Sequence, residues 1–242
     1  MHRYANPARF QRLSRAIFPW SAGLAVLFLG LGLWFALFDS PPDYQQGETV
    51  RIMYIHVPAA WMSLFAYTCV AVASAVLLVW KHPLAELAGR AMAPIGASFT
   101  AVCLITGSLW GEPMWGTWWV WDARLTSVLV LFLMYLGVMA LWRTVDDPSR
   151  AGRAAAILTL VGAINLPIIK FSVDWWNTLH QPASVLRMGG STLDRAFLIP
   201  LLVMAIAFTL LFVTLHLAAM RNEILRRRIR SLQMMQASQR SA

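Results

Sequence analysis

The sequence predicts an all-α fold, a polytopic membrane helix bundle of about six transmembrane helices, on three observations. Hydrophobic residues make up 59% of the 242-residue chain and charged residues only 13%, whereas a soluble domain carries about 25% charged residues. The apolar residues gather into six long runs. Basic residues cluster beside those runs, so the formal net charge of +9 reads as a topology signal and not as a nucleic-acid surface.

A membrane crossing takes about 20 apolar residues, and each must be helical, because the hydrocarbon offers no water to satisfy backbone groups. The first run, 17–38, is too long for a signal-peptide core. It leads into Phe38-Asp39-Ser40-Pro41-Pro42 and not a small-residue cleavage site, so it is expected to be retained. The second, 54–80, opens with Tyr54-Ile55-His56-Val57-Pro58. The third, 91–110, carries Pro94 and runs into a tryptophan-rich stretch. The fourth is 125–143. The fifth, 154–171, is the weakest, interrupted by Asn165 and Pro167 and ended by Lys170. The sixth, 196–219, contains Pro200. Neighbouring helices make such prolines tolerable in membranes. A basic tail, 220–242, follows, and its stretch from Arg221 to Gln236 reads as a helix at the membrane surface. The chain 1–242 reads as one membrane domain.

Fifteen of the 20 lysines and arginines fall on the side of the termini, and Arg51, Arg124, Lys170, Arg187 and Arg195 on the other. The positive-inside rule then places both termini in the cytoplasm of a bacterial inner membrane. Segments 39–53, 111–124 and 172–195 are expected to face outward, into the periplasm. Cys69 and Cys103 both lie in apolar runs. Without C-x-x-C or C-x-x-C-H the chain is neither a thiol oxidoreductase nor a c-type cytochrome. It has no phosphate loop and no H-E-x-x-H, so neither ATP hydrolysis nor zinc-protease chemistry has support.

Chemistry-bearing residues concentrate on the outward side. Nine of the 12 tryptophans fall there, five of them between 110 and 121; an aromatic belt would populate both interfaces. If 115–122 were helical, Trp115, Trp118, Trp119 and Asp122 would share one face. That face would be a flat aromatic surface suited to a large planar ligand, or alternatively an ordinary interfacial anchor. His56, at the outer end of the second run, and His180, in the third outer loop, flank this segment. Imidazole is the commonest metal ligand, and one histidine on each face holds haem iron. The plainer reading of either histidine alone is a hydrogen-bonded structural residue. Haem propionates favour arginine partners, and Arg51, Arg124, Arg187 and Arg195 are the outer candidates, each of which also marks a helix end. An electron carrier would bury its histidines deep between helices; surface positions argue for loading and release.

Trp115-Gly116-Thr117-Trp118-Trp119-Val120-Trp121-Asp122 resembles the WWD signature of the haem-handling membrane proteins. Thr106-Gly107-Ser108-Leu109-Trp110-Gly111, Ala123-Arg124-Leu125-Thr126-Ser127 and the stretches Asn165-Leu166-Pro167 and Trp175-Trp176-Asn177-Thr178-Leu179-His180-Gln181 fit the same pattern. The likeness covers nearly the whole chain. Length, helix number and both histidine positions look like the smaller branch of that family, not the larger relatives that attach haem to apocytochromes. The resemblance implies a periplasmic site over the WWD segment, 110–124, with Trp115, Gly116, Trp118, Trp119, Trp121, Asp122 and Arg124 binding haem and His56 and His180 as axial ligands. It implies haem b as a non-covalent, transient cargo. It also implies delivery to a membrane-anchored chaperone, cytochrome c maturation protein E, together with ABC transporter subunits A and B and the small membrane protein D of that system. On this reading the chain binds without turnover and is not an enzyme. Three alternatives stand beside it: a haem lyase or synthase, for which Glu112, Asp122, Asp174 and Asp194 are the acid–base candidates; a haem transporter, hinted at only by Asn165 and Pro167; and a structural adaptor without ligand.

Overall fold

The computed structural model of the chain describes residues 6–182, 184–185 and 187–240. Among them six segments are long and apolar enough to cross a membrane: Pro7–Asp39, Glu48–Trp80, Pro83–Trp115, Ala123–Thr144, Pro148–Trp175 and Arg195–Gln239. The chain is a multi-pass membrane protein, all-α as its composition requires.

The helix ends follow local chemistry. Helix α1 (Pro7–Trp34) starts with proline at its first position and Asn6 as cap, whose side chain accepts from the Ala8 amide at 2.9 Å. A π-helical turn, Phe35–Asp39, finishes it. The Ser40 hydroxyl then hydrogen-bonds to the buried Tyr54 hydroxyl of α2. Gly47, at φ +55°, turns the chain into the 3-10 helix Glu48–Ile52 and so into α2 (Met53–Trp80). Lys81 ends α2 in the left-handed region, and Pro83 at once begins α3 (Pro83–Trp115). Asp122 caps α4 (Ala123–Thr144) and Asp147 caps α5 (Pro148–Gly162), each accepting an amide at 2.7 Å.

The fifth crossing is two helices. The chain breaks after α5, and α6 (Asn165–Trp175) carries it onward. Pro167 sits in the first turn of α6, where its missing N–H costs nothing. The Asn165 amide donates to the Ser127 carbonyl at 2.7 Å, tying the break to α4. Helix α7 (Arg195–Arg240) has 46 residues, about 70 Å at 1.5 Å per residue. That is more than twice the roughly 30 Å of hydrocarbon. Met220, Glu223 and Ile224 still pack against the bundle, and Arg227 still reaches Glu86 of α3. The basic residues from 228 onward continue past it.

Small residues let the helices approach closely, as membrane packing demands. On α2, Ala59, Met62, Ala66, Val70 and Ala73 are buried at 3- and 4-residue spacings, and α2 packs chiefly on α3, whose buried set includes Ala93, Gly96, Ala97, Thr100 and Cys103. Tyr135 of α4 lies against Gly96, where a Cβ would strike its ring. Its hydroxyl donates to the Ser63 carbonyl at 2.8 Å. Tyr67 fits against Gly162 in the same way, and the two tyrosine rings meet edge to face at 4.9 Å. Helix α1 packs chiefly on α7, with Gly32 making room for Met204.

Candidate functional site

His56, four residues into α2, lies at the end of the bundle where α3 finishes and α4 begins. Its Nδ1 is 3.1 Å from the Cys103 carbonyl and 3.1 Å from the Thr106 hydroxyl. A carbonyl only accepts, so Nδ1 carries the proton and Nε2 keeps its lone pair. The Thr106 hydroxyl proton goes to the Val102 carbonyl at 2.6 Å, leaving its oxygen free to accept from the ring. Gly107 leaves the space the ring occupies: a Cβ there would stand 3.0 Å from His56 Cε1. The imidazole meets Trp110 edge to face at 5.7 Å, and Trp110 Nε1 donates to Gln46 Oε1 at 2.9 Å.

Helix α3 stops at Trp115 because Gly116, at φ +71°, takes the left-handed C-cap conformation. The expectation of a helical 115–122 is therefore corrected: Trp118, Trp119 and Asp122 lie in extended, turned chain and share no helix face with Trp115. Trp115 instead folds back over Gly111, where a Cβ would be 3.0 Å from its ring. Its other contact is His180, edge to face at 5.0 Å. His56 thus stands against Trp110 and His180 against Trp115, the two tryptophans lying five residues apart at the end of α3.

Asp122 holds the segment to its surroundings. One carboxylate oxygen caps α4, and the other accepts from the Leu179 amide at 3.4 Å and faces His180 Nδ1 at 3.6 Å. That separation is just beyond hydrogen-bond reach, and the buried Nδ1 has no partner among the described residues. Burial holds the His180 imidazole below its ordinary pKa; the Asp122 carboxylate pulls the other way, and Arg124 adds to the lowering. The ring is neutral near pH 7 and can donate a lone pair. A proton on the nitrogen facing Asp122 directs that lone pair to Nε2, as at His56.

Arg124 donates to the Ser172 hydroxyl at 3.0 Å and to the Ile169 and Lys170 carbonyls at 3.3 and 3.4 Å. It binds α4 to α6 and reaches the site only with its field. Arg51 is engaged with Glu48 and the Ala36 carbonyl. Arg187 and Arg195 are exposed on the loop and at the start of α7. Trp119 is half-buried, with an unpartnered Nε1, and meets Trp121 at 5.5 Å. Trp118 and Trp121 are 58% and 75% exposed, and Trp175 and Trp176 also point outward. The structure therefore brings together His56, Trp115, Asp122, Arg124 and His180, and leaves Trp118 and Trp121 at the rim. Cys103, Thr106, Gly107 and Gln46 join the site without having stood out in the sequence as contributors. Only Thr106-Gly107 left a signal, four residues before Trp110.

Among the described residues, no group of three or more histidines, cysteines or carboxylates stands ready to cage a metal ion. The two histidines bracket the tryptophan-bearing end of α3. The family model "Heme exporter protein C" matches residues 1–235. The chain belongs to the heme exporter protein C family. It is 73% identical over 234 residues to "Heme exporter protein C" of Bradyrhizobium diazoefficiens, covering 97% of this chain and 89% of that one. It is 51% identical over 225 residues to the protein of the same name from Escherichia coli K12, covering 93% and 91%. A "Putative cytochrome c biosynthesis ccmC-like mitochondrial protein" of Marchantia polymorpha is 47% identical over 186 residues, covering 77% and 78%. This is the smaller branch to which length and histidine placement pointed.

Proposed function

We propose that this member of the heme exporter protein C family binds haem b, non-covalently and transiently, at the histidine end of the bundle, and passes it to the chaperone cytochrome c maturation protein E. His56 and His180 hold the iron through Nε2, and Trp115 and Trp119 lie beside the porphyrin. The single observation that carries this reading is that His56 and His180, each with its Nδ1 turned toward a protein oxygen, flank the Trp110–Trp115 stretch. The Trp119 Nε1, a buried donor lacking an acceptor among the described residues, fits a propionate-bearing ligand. Haem supplies four equatorial nitrogens, which answers the missing third protein ligand.

The charge asymmetry of the sequence supports placing this end in the periplasm and both termini in the cytoplasm of the inner membrane. The chain acts by binding, without turnover; ABC subunits A and B supply the drive for release of the loaded chaperone, with the small protein D as a further subunit. A transporter reading would need a broken helix near the membrane midplane. Asn165, at the break in the fifth crossing, bonds instead to Ser127. That residue is four positions from the start of α4, about 6 Å along the helix from its histidine end.

The test is the absorption spectrum of detergent-purified protein beside His56→Ala and His180→Ala. A Soret band that weakens or shifts in each variant is expected. Wild-type protein without haem, even when co-expressed with the chaperone, would overturn the haem reading in favour of an adaptor.

A further inference from the structure

At the other end of the bundle, α3, α4 and α7 converge on a cavity lined by Arg90, Pro94, Met139, Trp142, Arg143, Glu223 and Arg226. Its free space is about 110 Å³, against the roughly 10–15 Å³ that one water needs. One carboxylate serves two guanidiniums there. Glu223 is 3.5 Å from Arg90 Nε and 3.1 Å from Arg226 Nη1. The Arg90 guanidinium also lies 5.2 Å from the Trp142 ring centroid. Arg143 makes no ion pair or hydrogen bond among the described residues. The neighbouring Glu86–Arg227 pair, at 2.6 Å, neutralises itself. The rim therefore carries three positive charges against one negative.

The apolar lining is placed with equal regularity. Pro94 lies one helical turn beyond Arg90 on α3, and Met139 one turn before Arg143 on α4. Both steps lead from the helix end into the span. A cationic rim thus stands about 6 Å above an apolar wall, at the last turn of a membrane-crossing helix. A solvent-facing anion site has no use for the wall, and a bare topology anchor has no use for the cavity. Guanidiniums are suited to phosphate oxygens, which they engage with paired donors.

We propose that this cavity binds an anionic phospholipid, its phosphate among Arg90, Arg143 and Arg226 and its acyl chain against Pro94 and Met139. Basic pockets between helices are a recognised form of lipid headgroup site. The excess of positive charge selects phosphatidylglycerol over phosphatidylcholine. The bound lipid fills the gap between α4 and α7, which are linked here through α3, whose Arg90 lies over Trp142 of α4 and pairs with Glu223 of α7. The proposal is independent of the haem reading.

The full chain, exchanged into detergent with equal phosphatidylglycerol and phosphatidylcholine and then mildly delipidated, is assayed for retained lipid by native mass spectrometry. Wild-type protein is expected to retain phosphatidylglycerol preferentially. Arg143→Gln, which breaks no ion pair, lowers that preference about fivefold, the effect of one basic group near a headgroup. Met139→Trp, which fills the wall without changing charge, lowers retention of the same lipid. Equal retention of both lipids by wild type, or a preference unchanged in both variants, overturns the proposal. Release of phosphatidylglycerol by millimolar inorganic phosphate also overturns it, leaving a free-anion site.

Discussion

His56 shows how much of a binding group is decided by atoms that never touch the ligand. Its useful nitrogen is selected by a backbone carbonyl and a threonine hydroxyl on the neighbouring helix, and its position by a missing side chain at Gly107. Gly107→Ala therefore separates stability from function. In a helix interior the added methyl favours the fold by up to about 1 kcal/mol, while a Cβ 3.0 Å from His56 Cε1 displaces the ring. We expect unchanged or raised thermal stability together with a weakened or shifted haem spectrum; an unaltered spectrum would mean the ring tolerates the contact. The histidines and tryptophans were legible in the sequence because they crowd on one side of the membrane, where an aromatic belt would populate both interfaces. Thr106, Gly107 and the Cys103 carbonyl were not, since their role exists only once α2 and α3 lie side by side. Arg124 was legible as a cation but not as an α4–α6 tie, because its acceptors, the Ser172 hydroxyl and two backbone carbonyls, lie 45 to 48 residues away.

At the scale of elements, periodicity identified the spans but misjudged the tryptophan segment. Trp115, Trp118, Trp119 and Asp122 repeat at helical spacing, yet one glycine at positive φ ends the helix and sends Asp122 to cap the next one. Side-chain spacing alone cannot report a backbone turn. The helix pairs show the opposite case, where glycine enables contact. Gly96 and Gly162 accept the rings of Tyr135 and Tyr67, and neither ring has another place to go in a buried core. We expect Gly96→Ala to cost about 1–3 kcal/mol, the usual price of overpacking, seen as a lower unfolding temperature in detergent. Stability equal to wild type would show that α3 and α4 can separate without loss. The break between α5 and α6 follows the same logic. Asn165 weakens the apolar run, and its bond to Ser127 compensates by joining two helices.

Across the whole molecule, the two ends of the bundle are chemically unlike. One gathers rings and imidazoles, the other guanidiniums. The charge difference along the chain is expected to set the orientation during insertion. Fusions of a phosphatase that is active only in the periplasm should be silent after residue 145, in the α4–α5 connection, and active after residue 182, in the loop following His180. The reverse pattern would place the histidine site in the cytoplasm and remove delivery to a periplasmic chaperone. Helix α7 carries its arginine cluster, Arg226 to Arg230, about 50 Å from the start of the sixth crossing, taken at 1.5 Å per residue, and residues 228–239 are exposed beyond the bundle.

Six helical crossings, the imbalance of charge between the two ends and the crowding of tryptophan and histidine at one of them follow from the sequence by itself. Each depends on what a short stretch of chain must do in hydrocarbon, where backbone groups have only one another as partners. Which nitrogen of His56 is free, which tryptophans line the site and which turn outward, and how arginines on α3, α4 and α7 come to surround one cavity were decided by the tertiary structure. These depend on helix rotation and distance, which are set by small residues packing against large ones across the whole bundle.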